Sequence, residues 1–331
     1  MIKVYLDWNV FSQMKRGMFK NLYYFLKTEE NEKLKTFYST AHIDDILRSY
    51  DGSQKQNNTI KGDLDFISEI TKDNCFFYTT DKKITKSKIK PQKLFNQRIE
   101  EKNSLSNFRL DSLGELFEDT DSKDKVNFSI RDFKNIPLDA SFLKVLSNPD
   151  KAQVLNELLP GILGNPTMGG LFDAISINVN QMDESEKYKS IRKTFQNGLN
   201  INRDESFNWK NPFEELKKIF RQHPQFYHFI NQFENQEEKT WLDQLEEAYL
   251  KLDMAGYKED KIEVKKSKKK TFKNTTNDAF HAVFASQCNF FVVNDQRSEY
   301  KAKAMYKHFK IKTRVLKPNE FLEFLKNKEL K

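Results

Sequence analysis

The most constraining part of the sequence is a polar pair, an apolar run and a short strand-like segment in succession, from Thr276 to Asp295. Asn277 and Asp278 precede an alanine-containing apolar run, which predicts a helix that begins there with a side-chain oxygen on its first N–H groups. Phe290 to Val293 is wholly apolar, as expected for a strand buried on both faces of a parallel sheet. Ligands bind beyond the carboxyl ends of strands in open α/β sheets, so Asp295 is a candidate site residue.

The beginning of the chain shows a similar arrangement. Ile2 to Leu6 is predicted as a strand, and Asp7 follows it before a helix-like segment that starts near Val10. A carboxylate at this position can approach Asp278 and Asp295 only if both ends of the chain contribute to one sheet. The pattern therefore predicts an α/β fold whose two halves are distant in sequence.

A further acidic position is predicted after the second strand. Residues 36–40 are expected to form this strand and residues 41–50 a helix that contains Asp44 and Asp45. The apolar spacing on this helix does not decide which of the two acids faces the site. His42, on the same helix, is either a hydrogen-bonded packing residue or a functional one.

Three short motifs occur in order along the chain. They are Asp-x-Asn at Asp7 and Asn9, Asn-Asp-Ala-Phe-His-Ala-x-x-Ala from Asn277, and Phe-Phe-Val-Val-Asn-Asp from Phe290. Together they resemble the motifs of PIN-domain ribonucleases, over roughly the first 80 and last 95 residues. The resemblance implies a PIN-like three-layer fold with a central, mostly parallel sheet. It also implies an acid early in the helix after strand two, which Asp45 matches in place of the more usual Glu.

The resemblance implies a carboxylate cluster that is both catalytic and metal-binding. Its members are Asp7, Asp45, Asp278 and Asp295. The supporting polar residues are Asn9, Asp44 and His281. Clustered carboxylates repel one another and need a cation to be ionised together, and Mg²⁺ or Mn²⁺ meets that need. The alternatives are that Asp278 only caps its helix, that the strand-end acids only terminate strands, and that His281 only packs.

The middle of the chain has a different character. Helical periodicity interrupted by prolines predicts a large, mostly helical insertion over residues 84–237, between PIN-like segments at 1–83 and 238–331. A lysine-rich stretch, residues 82–93, is expected to be either a phosphate-contacting loop or a solvated linker. A second lysine run is a candidate nucleic-acid contact, or otherwise a solvated loop. It consists of Lys265, Lys266, Lys268, Lys269 and Lys270.

Composition limits the class of protein. The net charge of +8 favours a polyanionic partner, although a lysine-rich solvated surface gives the same charge. With only two cysteines and no apolar run of about 18 residues, we expect a cytoplasmic protein without a membrane partner.

These observations lead to one main prediction and two alternatives. The main prediction is a phosphodiester hydrolase, namely a metal-dependent endoribonuclease. Its candidate substrates are tRNA and other structured RNA. The resemblance implies a toxin-like or antiviral defence setting, and the insertion is a candidate surface for a regulatory protein partner. The alternatives are a structure-specific DNA nuclease and a non-catalytic nucleic-acid-binding or interaction module.

Overall fold

The structure is a computed structural model. It describes residues 1–28, 34–50, 52–79, 83–106, 185–223, 240–259 and 272–327, with 137–138, 161–167 and a few single positions between them.

The described residues contain one six-stranded sheet. Its strands are β1 (Ile2–Leu6), β2 (Leu34–Ser39), β3 (Asn74–Tyr78), β4 (Ile84–Lys88), β5 (Phe290–Val292) and β6 (Arg314–Leu316). Their order in the sheet is β4-β3-β2-β1-β5-β6, and every neighbouring pair is parallel except β3 with β4. The two ends of the chain therefore share one sheet, as the sequence predicted.

Twelve helices occur in the described residues. Those before residue 107 are α1 (Trp8–Lys15), α2 (Lys20–Thr28), α3 (Thr40–Leu47), α4 (Gln54–Thr71) and α5 (Pro91–Ser106). Those between 185 and 254 are α6 (Ser185–Gly198), α7 (Arg203–Ser206), α8 (Pro212–Gln222) and α9 (Trp241–Met254). The last three are α10 (Phe272–Ala285), α11 (Gln296–His308) and α12 (Pro318–Asn327). Among the residues described, no helix combines the length and the apolar character that crossing a membrane requires.

Helices cover the sheet on both faces, because successive side chains of a strand point in opposite directions. Val4 and Leu6 of β1 belong to a core formed with α1, α2, α3, α4 and α12. Tyr5, between them, belongs to a second core formed with α9, α10 and α11. The result is an α/β architecture with a mostly parallel sheet between helical layers.

The lysine-rich stretch after β3 differs from the sequence expectation of a loop or linker. Residues 84–88 form β4, which pairs antiparallel with β3 at the edge of the sheet. Lys86 and Lys88 are exposed on this strand. Charged side chains are typical of edge strands, because they discourage pairing with another chain.

The chain divides into two compact units. The first comprises Met1–Glu101, Arg203–Asp260 and Asn274–Lys331, and it contains the whole sheet. The second comprises Lys102–Asn202 and Lys261–Lys273. Residues 84–101 and 203–237, which the sequence analysis assigned to the insertion, are thus grouped with the first unit. The predicted domain boundaries themselves stay predictions.

Candidate active site

The strand order identifies one edge of the sheet as the place for a site. The chain proceeds from β1 to β2 and β3 on one side, whereas β5 and β6 lie on the other side of β1. The strand order therefore reverses between β1 and β5, and ligands bind at such switch points in open α/β sheets. Asp7 lies there, since its backbone N–H donates to the carbonyl of Val292 at 2.9 Å. Asp295 follows the end of β5 by three residues.

Asp7 is buried, and its neighbours change the pKa of its carboxyl. Only 4% of its surface is exposed. Burial raises the pKa of its carboxyl most. His281 lowers that pKa, Asp45 and Asp295 raise it, and the backbone N–H of Asn9 lowers it. The charges of two carboxylates and a histidine therefore act on Asp7.

The two acids of α3 face different partners. One oxygen of Asp45 lies 2.8 Å from His281 Nε2, and the other lies 3.1 Å from Arg48 Nη1. Asp44 instead lies 3.5 Å from Arg98 Nε, with its side chain 38% exposed. Asp45, at 15% exposure, is the acid of this helix that faces the switch point. Asp44 is directed towards α5.

His281 connects Asp45 to a buried hydroxyl network. Its Nδ1 lies 2.8 Å from the Tyr5 hydroxyl, which lies 2.6 Å from the hydroxyl of Ser39. A carboxylate oxygen accepts, so Nε2–H of His281 donates to Asp45, and Nδ1 is hydrogen-bonded to the Tyr5 hydroxyl. Burial raises the pKa of Tyr5 well above its usual range, which keeps this hydroxyl protonated as a donor. The network therefore fixes the ring orientation of His281.

His42 has a different role. Its Nδ1 accepts from the backbone N–H of Ser39 at 3.0 Å, and its Nε2 donates to the carbonyl of Leu6 at 2.8 Å. Burial and the nearby His281 lower its pKa well below the usual range, so the ring is neutral. His42 joins the start of α3 to the end of β1, directly before Asp7.

The sequence prediction for the start of α10 was wrong. Asn277 and Asp278 lie inside this helix, which begins at Phe272. Asn277 Nδ2 donates to the carbonyl of Ala41 at 3.1 Å, so its amide attaches α10 to α3 instead of capping a helix. Asp278 is half-buried one residue further along.

Ser298 connects the last two acids. Its hydroxyl donates to Asp278 Oδ2 at 3.4 Å, and its backbone N–H donates to Asp295 Oδ1 at 3.0 Å. Asp295 also accepts from the N–H of Arg297 at 2.8 Å and is the N-cap of α11. The carboxylate thus has a structural role whatever its chemistry, because capping of this kind stabilises a helix by about 1 kcal/mol.

The remaining predicted residues lie apart from this group. Asn9 is in the first turn of α1 with an exposed side chain, and it acts on Asp7 through its backbone N–H. The lysine run at 265–270 lies outside the described residues.

The chemistry of the donors suits a hard cation, but their geometry does not form a ready site. Carboxylate oxygens are the ligands that Mg²⁺ and Mn²⁺ prefer. In the part of the chain that the structure describes, however, no three His, Cys, Asp or Glu side chains are grouped so that they could hold a metal ion. Asp45 is engaged by Arg48 and His281. The described carboxylates therefore do not fit a metal ion as they stand.

Three residues that contribute to the candidate site were not predicted from the sequence. Tyr5 had a local signal, because a buried tyrosine in an otherwise mostly aliphatic strand needs a partner for its hydroxyl. Ser39 had a weaker signal as a residue between a strand and a helix. Ser298 had none, because only the folded chain brings its hydroxyl to Asp278.

No protein-family model, no curated protein and no solved structure matches this chain.

Proposed function

We propose that the protein is a PIN-like, metal-dependent endoribonuclease that hydrolyses RNA phosphodiester bonds at the β1/β5 switch point. One observation carries the proposal: Asp45 and Asp295, from two other elements, both raise the pKa of the buried Asp7 carboxyl at that point. Burying carboxylates together is costly for a fold, and such clusters are typical of functional sites.

The proposed chemistry assigns roles to this chain's own residues. Asp7, Asp278 and Asp295 provide negative charge at the site, and His281 positions Asp45 through its Nε2–H. Mg²⁺ or Mn²⁺ is the class of cation that carboxylates of this kind would bind. Because the described residues form no ready three-ligand group, dependence on added metal is the first part of the proposal to test.

The biological setting belongs to the proposal as well. RNA, with tRNA or another structured RNA as a candidate, is the proposed partner, and residues 84–237 are the proposed surface for a regulatory protein. A toxin-like or defence role is one setting. A reducing, cytoplasmic compartment is supported by Cys75 and Cys288, which are both buried free thiols. Burial raises the pKa of Cys75 to about 12 and also raises that of Cys288, so both stay protonated and unreactive.

A second function is favoured by a specific observation. Both oxygens of Asp45 have protein partners, at 2.8 Å from His281 and 3.1 Å from Arg48. An acid already held by two protein partners is not open to a reacting group, which favours a protein that binds nucleic acid without cutting it. This alternative predicts RNA binding without cleavage.

The decisive experiment uses labelled RNA and DNA with the full chain, in Mg²⁺, in Mn²⁺ and in chelator. We expect RNA cleavage that requires metal and that Asp278→Asn abolishes, because the amide keeps the shape of the side chain and removes its charge. Asp65→Asn, at an exposed position of α4, is the matched control and should cleave normally.

The results separate the role of Asp278 from the choice between the three functions. Undiminished cleavage by Asp278→Asn would remove this residue from the mechanism. Cleavage of DNA in preference to RNA would identify a DNA nuclease. RNA binding without cleavage in any metal would identify the non-catalytic module.

A further inference from the structure

A cavity of about 380 Å³ lies within the first unit, between α8 and α11. It is separate from the carboxylate group and has no part in the function proposed above. Its lining includes Lys210, Phe213, Tyr300, Lys303, Lys307 and His308. Pockets for small ligands typically measure about 300–1,000 Å³, so this volume is sufficient for a ligand the size of one nucleotide.

Helix α11 contributes five of the eleven lining residues. Tyr300, Lys303 and Lys307 recur at three- and four-residue spacing, His308 follows Lys307 directly, and all four are exposed. The opposite face, which includes Met305, is buried in the core. The helix thus presents two aromatic rings and two cations to the cavity, on a rigid support.

The charge of the lining favours an anion. The charged residues of the lining are three lysines and one glutamate, Glu214. The lining therefore has a net charge of about +2 when His308 is neutral. Two of the lysines are already oriented by neighbours, since Lys307 Nζ lies 3.1 Å from Asn211 Oδ1 and Lys303 Nζ lies 2.6 Å from Glu299. Exposed ammonium groups of this kind can contact a phosphate without being dehydrated by burial.

The aromatic lining favours a flat ring. Phe213 and His308 are stacked, with ring centres 4.3 Å apart and planes 16° from parallel. His308 is exposed, and Phe309 meets it edge-on with ring centres 4.9 Å apart, so part of the ring is accessible to a further flat ring. Tyr300 is also exposed, and Lys258 Nζ lies 4.9 Å from its ring centre. Cations beside stacked rings are the pattern of sites that bind single-stranded nucleic acid.

We propose that this cavity binds one nucleotide of the RNA strand, with the base stacked on His308 and the phosphate contacted by Lys210, Lys303 and Lys307. The inference rests on the proposed function, because it takes RNA as the substrate. An α-helix rises about 1.5 Å per residue, so Tyr300 lies roughly 8 Å and Lys307 roughly 18 Å along α11 from Asp295. A strand cut at the carboxylates can therefore follow α11 into the cavity.

The experiment measures binding separately from cleavage. The affinity of the full chain for a short labelled single-stranded RNA is measured in chelator at several salt concentrations. The cavity variant replaces Lys210, Lys303 and Lys307 with Gln. The matched control carries three Lys→Gln changes at exposed positions elsewhere in the first unit. They are Lys55, Lys61 and Lys326.

The expected results are quantitative. Each lost phosphate contact lowers the salt slope by roughly 0.7 for a single strand, so the cavity variant should lose about 2. The control should bind with the slope of the wild type. His308→Ala should weaken binding of the intact strand by roughly 5-fold or more and leave an abasic strand unaffected, since only a base can stack. Circular dichroism checks that the variants fold. Glu299, which loses Lys303 in the cavity variant, keeps Lys317 as a partner at 2.9 Å.

Several results would overturn the inference. They are wild-type affinity in the cavity variant, an equal loss in the control, and an absence of RNA binding by the wild type. Competition by inorganic phosphate or a free mononucleotide as effective as that by the strand would identify a small-anion site instead. If the wild type cuts RNA while the cavity variants bind normally, the cavity inference fails and the nuclease stands. If RNA binds through the cavity but no metal supports cleavage, the nuclease fails and the cavity stands.

Discussion

Lys301 and Asp253 form an ion pair that is fully buried between α11 and α9, with Nζ and Oδ1 2.8 Å apart and neither side chain exposed. The pair fixes the helix whose N-cap is Asp295, so it bears on the site as well as on stability. The perturbation is Lys301→Met, which keeps much of the length of the side chain and removes its charge. The variant leaves the Asp253 carboxylate buried without its cation.

The expected magnitude follows from this burial. Removing one partner of a buried ion pair costs about 3–5 kcal/mol, because the remaining charge is uncompensated. Replacing both partners with apolar residues, as in Lys301→Met with Asp253→Leu, is often neutral or stabilising, because two desolvation penalties disappear together. For a domain of about 200 residues, each kcal/mol shifts Tm by about 2–4 °C, so the single variant should melt roughly 6–20 °C lower.

The assay is urea and thermal unfolding of the wild type, both single variants and the double variant. Lys303→Met is the control on the same helix, since its ion pair with Glu299 is 46% exposed at the lysine and should contribute less than about 1 kcal/mol. A loss below 1 kcal/mol in Lys301→Met would refute the reasoning. A double variant that loses the sum of both single losses would refute it as well, since it would show no coupling between the partners.

Three further predictions concern the candidate site. Burial and nearby carboxylates raise the pKa of Asp7 in the folded protein. The contribution of Asp7 to the free energy of unfolding therefore falls as pH rises from its pKa in the unfolded chain to its pKa in the folded protein. Asp7→Asn should therefore be more stable than the wild type at pH 7 in urea unfolding, by about 1.4 kcal/mol per unit of raised pKa, with the gain lost below about pH 4. If Asp7→Asn were still more stable than the wild type below about pH 4, the predicted direction of the pH dependence would be wrong. Asp45→Asn should slow RNA cleavage more than Asp44→Asn in initial-rate assays, and the reverse order would make the other acid the functional one. Tyr5→Phe should cost about 1–3 kcal/mol in thermal melting and slow cleavage, because it removes a buried hydroxyl from two partners. Tyr23→Phe, whose hydroxyl is less buried, is its control, and equal losses would argue against a special role for the network.

The strands at the centre of the sheet were predictable because their signal is local. A strand covered on both faces must be apolar along its whole length, and turn or polar residues must follow it. Residues 2–6 and 290–293 were therefore predicted with nearly the observed bounds, Ile2–Leu6 and Phe290–Val292. The strand-end positions of Asp7 and Asp295 follow from the same pattern.

The edge strand β4 was not predictable, because its residues carry no local signal for a strand. Ile84–Lys88 is polar and lysine-rich, and it is a strand only because its backbone pairs with β3. The start of α10 was misplaced for a related reason. Asn277 resembles a helix cap in the sequence, but its side-chain amide donates a hydrogen bond to the carbonyl of Ala41, which is 236 residues away.

The sequence by itself determined that acidic residues follow buried strands at both ends of the chain, since burial and side-chain chemistry are written locally. Only the tertiary structure decided which groups they meet. His281 bonds Tyr5 and Asp45 across separations of 276 and 236 residues, and the choice of Asp45 over Asp44 depends on those contacts. Hydrogen bonds and charges act over a few ångströms, so a pairing between distant segments exists only once the sheet has brought both ends of the chain together.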